Sequence, residues 1–183
     1  MNKTQEIGQN SVNSTLESVA TALDRVNQET KESIFQFAKS TNELDLIVMF
    51  NNKAVDLFNI LATLSKKAGM DKKYNISYYR SLFDRAIKAN CKLPVDKFTL
   101  LILEYAPEIY EQNEDCFLDM KMPDKKVSLG NEFSIIRTEE FKELWKTLNH
   151  ETKQNVGEEV LQLTTYAHAY FYKSLLSQYS KNK

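Results

Sequence analysis

The sequence predicts an all-α fold, a single-domain bundle of six or seven helices with a long N-terminal heptad-like helix, and three observations carry that expectation. The 183 residues include four Gly and three Pro, well below the roughly 7% and 5% of average chains, so regular elements should run long. Apolar residues recur at spacings of three and four along most of the chain, the period of one helix face. Only 120–133 forms a long stretch without that period. A chain of this size buries roughly 70% of its unfolded surface, which makes one core the default.

Residues 1–11 are polar, with Ile7 as the one sizeable apolar side chain, and are expected to be a flexible tail. The helical domain is expected over 12–178, with 179–183 frayed. Val12, Leu16, Val19, Leu23 and Val26 follow steps of four, three, four and three, a heptad seam of about two repeats. The seam weakens at Thr30 and resumes at Ile34, Phe35, Phe37 and Ala38. It either packs on its own domain or serves self-association.

Residues 42–69 read as one long helix, or two broken near Asn51-Asn52, stopped by Lys66, Lys67 and Gly69. Asn75 is placed to cap the next helix, whose face is Tyr79, Leu82, Phe83, Ala86 and Ile87. Pro94 suits the first turn of another, which buries Val95, Phe98, Leu101, Ile102 and Tyr105 until Pro107 kinks or restarts it. The stretch 120–133 is expected to be a loop, with room for a short strand at 127–129 or 133–136. Thr138 with Glu139 and Glu140 opens a helix bearing Phe141, Leu144, Trp145 and Leu148. Asn149-His150 interrupts it, and a last helix follows over 151–178, in which Gly157 is expected to allow close approach of a neighbour.

Charge and composition exclude several classes of function. Lys and Arg number 24 against 25 Asp and Glu, a net charge of −1, so no global field attracts a polyanion. Cys91 and Cys116, without a secretory-type apolar run, point to a reducing compartment. The longest apolar run, Leu46-Ile47-Val48-Met49-Phe50, falls far short of the roughly 20 residues of a membrane span. His150, His168, Cys91 and Cys116 show no metal-ligand spacing, and the four glycines form no phosphate loop. No catalytic residue, metal or cofactor is expected.

His168, among aromatic residues, reads as a core or groove histidine, and Cys116, beside Asp115, as a buried small hydrophobe rather than a thiolate. Glu104, Glu108, Glu111, Glu114, Asp115 and Asp119 occur with no Lys or Arg between Phe98 and Met120. This acidic strip is read first as a solvated face, with a basic partner as its functional alternative. An enzyme would need a pocket joining His150 or His168 to it. Lys121, Lys125 and Lys126 are the candidates for a nucleic-acid patch. The aromatic group Tyr166, Tyr170 and Tyr172 joins Val12, Leu16, Val19, Leu23 and Val26 as candidate interaction residues.

The order of two segments resembles a group of helical proteins of nucleocytoplasmic large DNA viruses. In that group an acidic-aromatic motif ending in acid-Phe-Leu precedes a Phe-Lys-x-Leu-Trp-x-x-Leu helix. Here Tyr105 to Leu118 and Phe141 to Lys153 match, with Tyr78-Tyr79, Pro94 and Phe98 upstream in the same order. The resemblance spans Leu57 to Phe171. Asn113-Glu114-Asp115 and Val156-Gly157-Glu158-Glu159-Val160 depart from the usual triplet and helix start. The resemblance implies a viral origin and a host-cell context, the virus factory in the cytoplasm or the virion, and transfers no catalytic assignment. The expected role is a non-enzymatic structural or interaction protein with a protein partner or a second copy. A small nucleic-acid-associated or transcription-regulating factor is the alternative.

Overall fold

The computed structural model describes residues 16–114, 116–119 and 138–175. Among these, every regular element is helical. The expected tail 1–11, Val12, the stretch 120–133 with its optional strand, and Lys121, Lys125 and Lys126 lie outside the described residues, as do Asp115 and 176–183.

The first helix, α1, occupies 16–24. It does not run on through 34–38 as the heptad pattern suggests. Arg25 N–H and Val26 N–H close a turn onto the carbonyls of Ala22 and Leu23, and Asn27 Oδ1 then accepts from Glu29 N–H at 2.8 Å. That cap gives the orphan donors of a new helix, α2 (Gln28–Ser40), a partner, so the chain restarts rather than continuing. Ile34 and Ala38, one turn apart on α2, are buried in a small cluster with Leu46 and Ala169.

Asn42 caps α3 (Glu43–Lys67) by accepting from Asp45 N–H at 2.8 Å. At 1.5 Å per residue this helix is about 37 Å long. It passes unbroken through Asn51, whose side chain is buried and donates to the carbonyl of Cys91 at 2.8 Å. α3 ends in a Schellman motif, with Gly69 N–H bonded to Lys66 O and Met70 N–H to Ser65 O. Gly69 supplies the φ of +69° that this stop requires.

A single turn, α4 (Asp71–Tyr74), leads to α5 (Ile76–Ala89). Asn75 between them makes no side-chain cap, contrary to expectation. It is left-handed, φ 41°, and ends α4 through its own N–H to Asp71 O. Pro94 lies in the first turn of α6 (Leu93–Ile102), which tightens into a 3₁₀ turn at Leu103–Tyr105. α7 (Ala106–Tyr110) restarts with Pro107 in its first turn, where a missing N–H costs nothing. α8 (Cys116–Asp119) and α9 (Thr138–Thr147) follow. Asn149 Oδ1 accepts from Thr152 N–H at 2.9 Å and caps α10 (His150–Tyr170), which widens into a π turn over Phe171–Leu175.

α10 is the axis of the bundle, packed along α3 and enclosed by α2, α6 and α7. Its buried stripe Val156, Val160, Leu163 and Ala167 meets Phe50, Ala54, Phe58, Leu61, Val95 and Leu103 in one core. Leu16, Val19, Leu23 and Val26 belong to that same core, which explains their regular spacing. The heptad seam is packed on its own chain, so these four side chains offer no free face to a second copy. No described helix is long and apolar enough to cross a membrane.

Candidate functional site

Two places gather titratable side chains, and they differ in access to solvent. The first is closed. His168, on the buried side of α10, holds Tyr110 of α7 by a hydrogen bond of 3.1 Å between Nδ1 and the phenol oxygen. Its ring lies 4.6 Å from that of Tyr172, centroid to centroid, and Nε2 is buried without a partner. Burial disfavours the imidazolium, assisted by the charge of Lys31, and lowers the His168 pKa to about 3. Burial likewise raises the phenols of Tyr110 and Tyr172. The pair ties α7 to α10. Tyr170, fully buried, donates to the carboxylate of Asp96, and Lys92 of the α5–α6 turn binds Glu43 at 2.8 Å. The hydrogen bond from Lys92 holds the Glu43 carboxyl below its ordinary range.

The second place is open. Where α7, α9 and the first half of α10 meet, a cavity of about 220 Å³ is lined by Ile109, Glu114, Trp145, Lys153, Gln154, Gly157, Glu158 and Leu161, among others. Residues 150, 154, 157, 158 and 161 share one face of α10, opposite its buried stripe. Trp145 Nε1 donates to the backbone carbonyl of Glu114 at 3.1 Å. The Glu114 carboxylate reaches His150 Nδ1 at 3.2 Å and Lys153 Nζ at 3.7 Å, beside the positive end of α10. Lys153 Nζ also sits 5.8 Å from the Trp145 ring centre. These contacts latch the turn at 111–114 onto the α9–α10 corner and satisfy the anion requirement of His150 and Lys153 from within the chain.

Gly157 corrects an expectation. A Cβ there would meet no neighbouring atom within 4 Å, so the glycine admits no close neighbour and instead leaves part of the cavity empty.

Among the described residues the acidic strip does not converge. Glu108 pairs with Arg25 at 3.5 Å, Glu114 pairs with α10, Glu111 is exposed, and the side chain of Asp119 is outside the described set. The cavity does join His150 to Glu114, and Cys116, buried, also lines it. The His150 side chain is 71% exposed and is held by the carboxylate of Glu114. Among the described residues no three His, Cys, Asp or Glu come together as a metal set. Of the candidate interaction residues, Tyr170 is buried with the seam, and Tyr166 and Tyr172 are half-buried against the core.

Sequence reasoning missed the cavity. Its walls come from segments nearly thirty residues apart, and only the polar stripe Lys153, Gln154, Glu158 around a glycine hinted at it.

The chain is 53% identical over 176 residues to "Uncharacterized protein R465" of Acanthamoeba polyphaga mimivirus, an alignment covering 96% of this chain and 98% of the relative. The chain belongs to that mimivirus protein's family. Membership spans nearly the full length and bears out the resemblance to a helical family of large DNA viruses, beyond the Leu57 to Phe171 stretch that suggested it. No protein-family model and no solved structure matches the chain.

Proposed function

We propose that this member of the mimivirus family is a non-enzymatic interaction protein, a component of the virus factory or the virion that works through its helical surface. The observation that supports the reading is the pair Leu44 and Val48, 60% and 48% exposed one turn apart on α3. Adjoining exposed apolar side chains point to a contact site where scattered single ones do not. Phe35 and Met49 are also exposed on α2 and α3. By contrast, the titratable side chains that chemistry would recruit are engaged in structural contacts: His168 with Tyr110, Glu114 with His150 and Lys153, Tyr170 with Asp96.

The test is light scattering after size exclusion over a wide concentration range, followed by quantitative mass spectrometry of the protein purified from infected host cells. The wild type should form a defined oligomer or carry a stoichiometric viral companion, and Leu44→Asp with Val48→Asp should lose it while keeping its helical circular dichroism. A strict monomer without a stoichiometric companion would reject the reading.

A further inference from the structure

We infer that the cavity at the α9–α10 corner receives an arginine side chain from a partner protein, an inference that rests on the interaction reading above and names the chemistry of the contact. Size limits the guest. At about 220 Å³ the cavity falls below the roughly 300–1,000 Å³ of sites for drug-sized ligands, and it matches a single side chain.

Wall chemistry decides which one. Ile109, Leu161 and Trp145 provide an apolar and aromatic wall, suited to the methylene stem of a long side chain. Lys153 and His150 could have called for an anion, but the Glu114 carboxylate already sits between them. Glu158 is left: it is exposed, lines the cavity, and takes part in none of the ion pairs of the described residues. Gln154, one turn before it, offers an amide carbonyl on the same face. The carboxylate and amide left open to a guest therefore suit a planar cation with several donors on an apolar stem, the properties of a guanidinium rather than an ammonium.

Charge outside the cavity adds to this. On the segment leading to it Glu108 and Glu114 are already paired with Arg25, His150 and Lys153, whereas Glu111 is exposed and is free to attract a basic partner before it docks. Gly157 supplies the room, since a side chain at that position would occupy the space the guest needs.

The chain has a single Trp, and it lines the cavity, so Trp145 fluorescence reports on this site alone. Acetyl-glycyl-arginyl-glycine amide is titrated into the full-length protein, beside the lysine and citrulline counterparts. The arginine peptide should give a saturable change, the lysine peptide a weaker one and the neutral citrulline peptide none. Glu158→Gln should weaken binding by about tenfold or more, the scale of one charge-assisted hydrogen bond. Gly157→Met should abolish it while the thermal melt stays at or above that of the wild type. If Gly157→Met fails to fold, the Glu158→Gln titration decides alone.

No saturable change with the arginine peptide, equal binding of citrulline, or binding unaffected by either variant would overturn the assignment. The two readings fail separately. If the peptides do not bind yet Leu44→Asp with Val48→Asp still loses the companion, the arginine assignment falls and the interaction reading stands. If the peptide binds a protein that has no companion, the cavity binds arginine but the interaction reading falls.

Discussion

The two halves of α10 carry polar side chains in opposite circumstances. In the C-terminal half Thr164, His168 and Tyr170 are buried among Ala167, Ala169 and Phe171, and each polar group is tied to the fold. Thr164 donates to Val160 O at 2.7 Å, His168 meets Tyr110, and Tyr170 meets Asp96. In the N-terminal half, the face of 150, 154, 157, 158 and 161 looks into a cavity, while only the opposite face of Val156 and Val160 is packed. Polarity along a helix therefore does not by itself mark function. Most buried polar groups find partners and become structural, His168 Nε2 being an exception here, whereas groups facing open space remain available to another molecule.

The largest expected effect sharpens this contrast through packing alone. Leu163 is 1% exposed in the core beside α3, whereas Leu161 is half-buried at the cavity wall. Leu163→Ala should cost about 2–5 kcal/mol, as deletions in close-packed cores do. Leu161→Ala, whose surroundings are already partly open, should cost less than about 1.5 kcal/mol. Urea unfolding of the two variants measures both. Equal losses would mean that the cavity face is packed as tightly as the core and that the contrast is false.

A smaller effect follows from His168. Its pKa of about 3 in the folded protein lies below the ordinary 6.5, so as pH falls below 6.5 the unfolded chain takes up a proton that the folded one refuses. The sign is fixed: this histidine withdraws stability as pH drops from about 6.5 toward 3, by up to about 1.4 kcal/mol per pH unit. Between pH 6.5 and 5 the wild type should lose about 2 kcal/mol more than His168→Gln does, although the variant starts lower at neutral pH because it disturbs the Tyr110 contact. Parallel pH profiles for wild type and His168→Gln would show that the ring is hydrated rather than sealed.

Much of the helical frame could be read from local pattern because its causes are local. Asn149 caps α10, Pro94 and Pro107 open helices, and Lys66, Lys67 and Gly69 end α3, each through contacts within a few residues. Of three readings in which the deciding contact is not local, one failed and two were open in the sequence. The spacing of Leu16 to Val26 is the same for a seam that meets a second copy and one that packs into the core of its own chain, where the fold places these side chains. Asn75 has the chemistry of a cap, yet it sits left-handed at the end of α4, where its own backbone N–H ends that turn. Asn51 would break a solvent-exposed helix but not one in which it reaches the carbonyl of Cys91. The cavity was illegible because it joins α7, α9 and α10 across a long stretch of sequence.

Gly157 gives the smallest effect and the sharpest test of the open half. A glycine inside a helix has two common explanations with opposite consequences. Where a neighbour presses against it, an added methyl group collides and the protein is destabilised by about 1–3 kcal/mol. Where space is open, alanine restrains the unfolded chain, suits the helix better, and stabilises by about 0.4–1 kcal/mol. The sequence suggested the first case. The structure places no neighbouring atom within 4 Å of the position a Cβ would take and no positive φ at the residue, so the second applies. Gly157→Ala should therefore raise the urea midpoint without changing the slope of the transition. A lowered midpoint would mean that something fills the cavity in the free protein, and the N-terminal half of α10 would then be as closed as the half that holds His168.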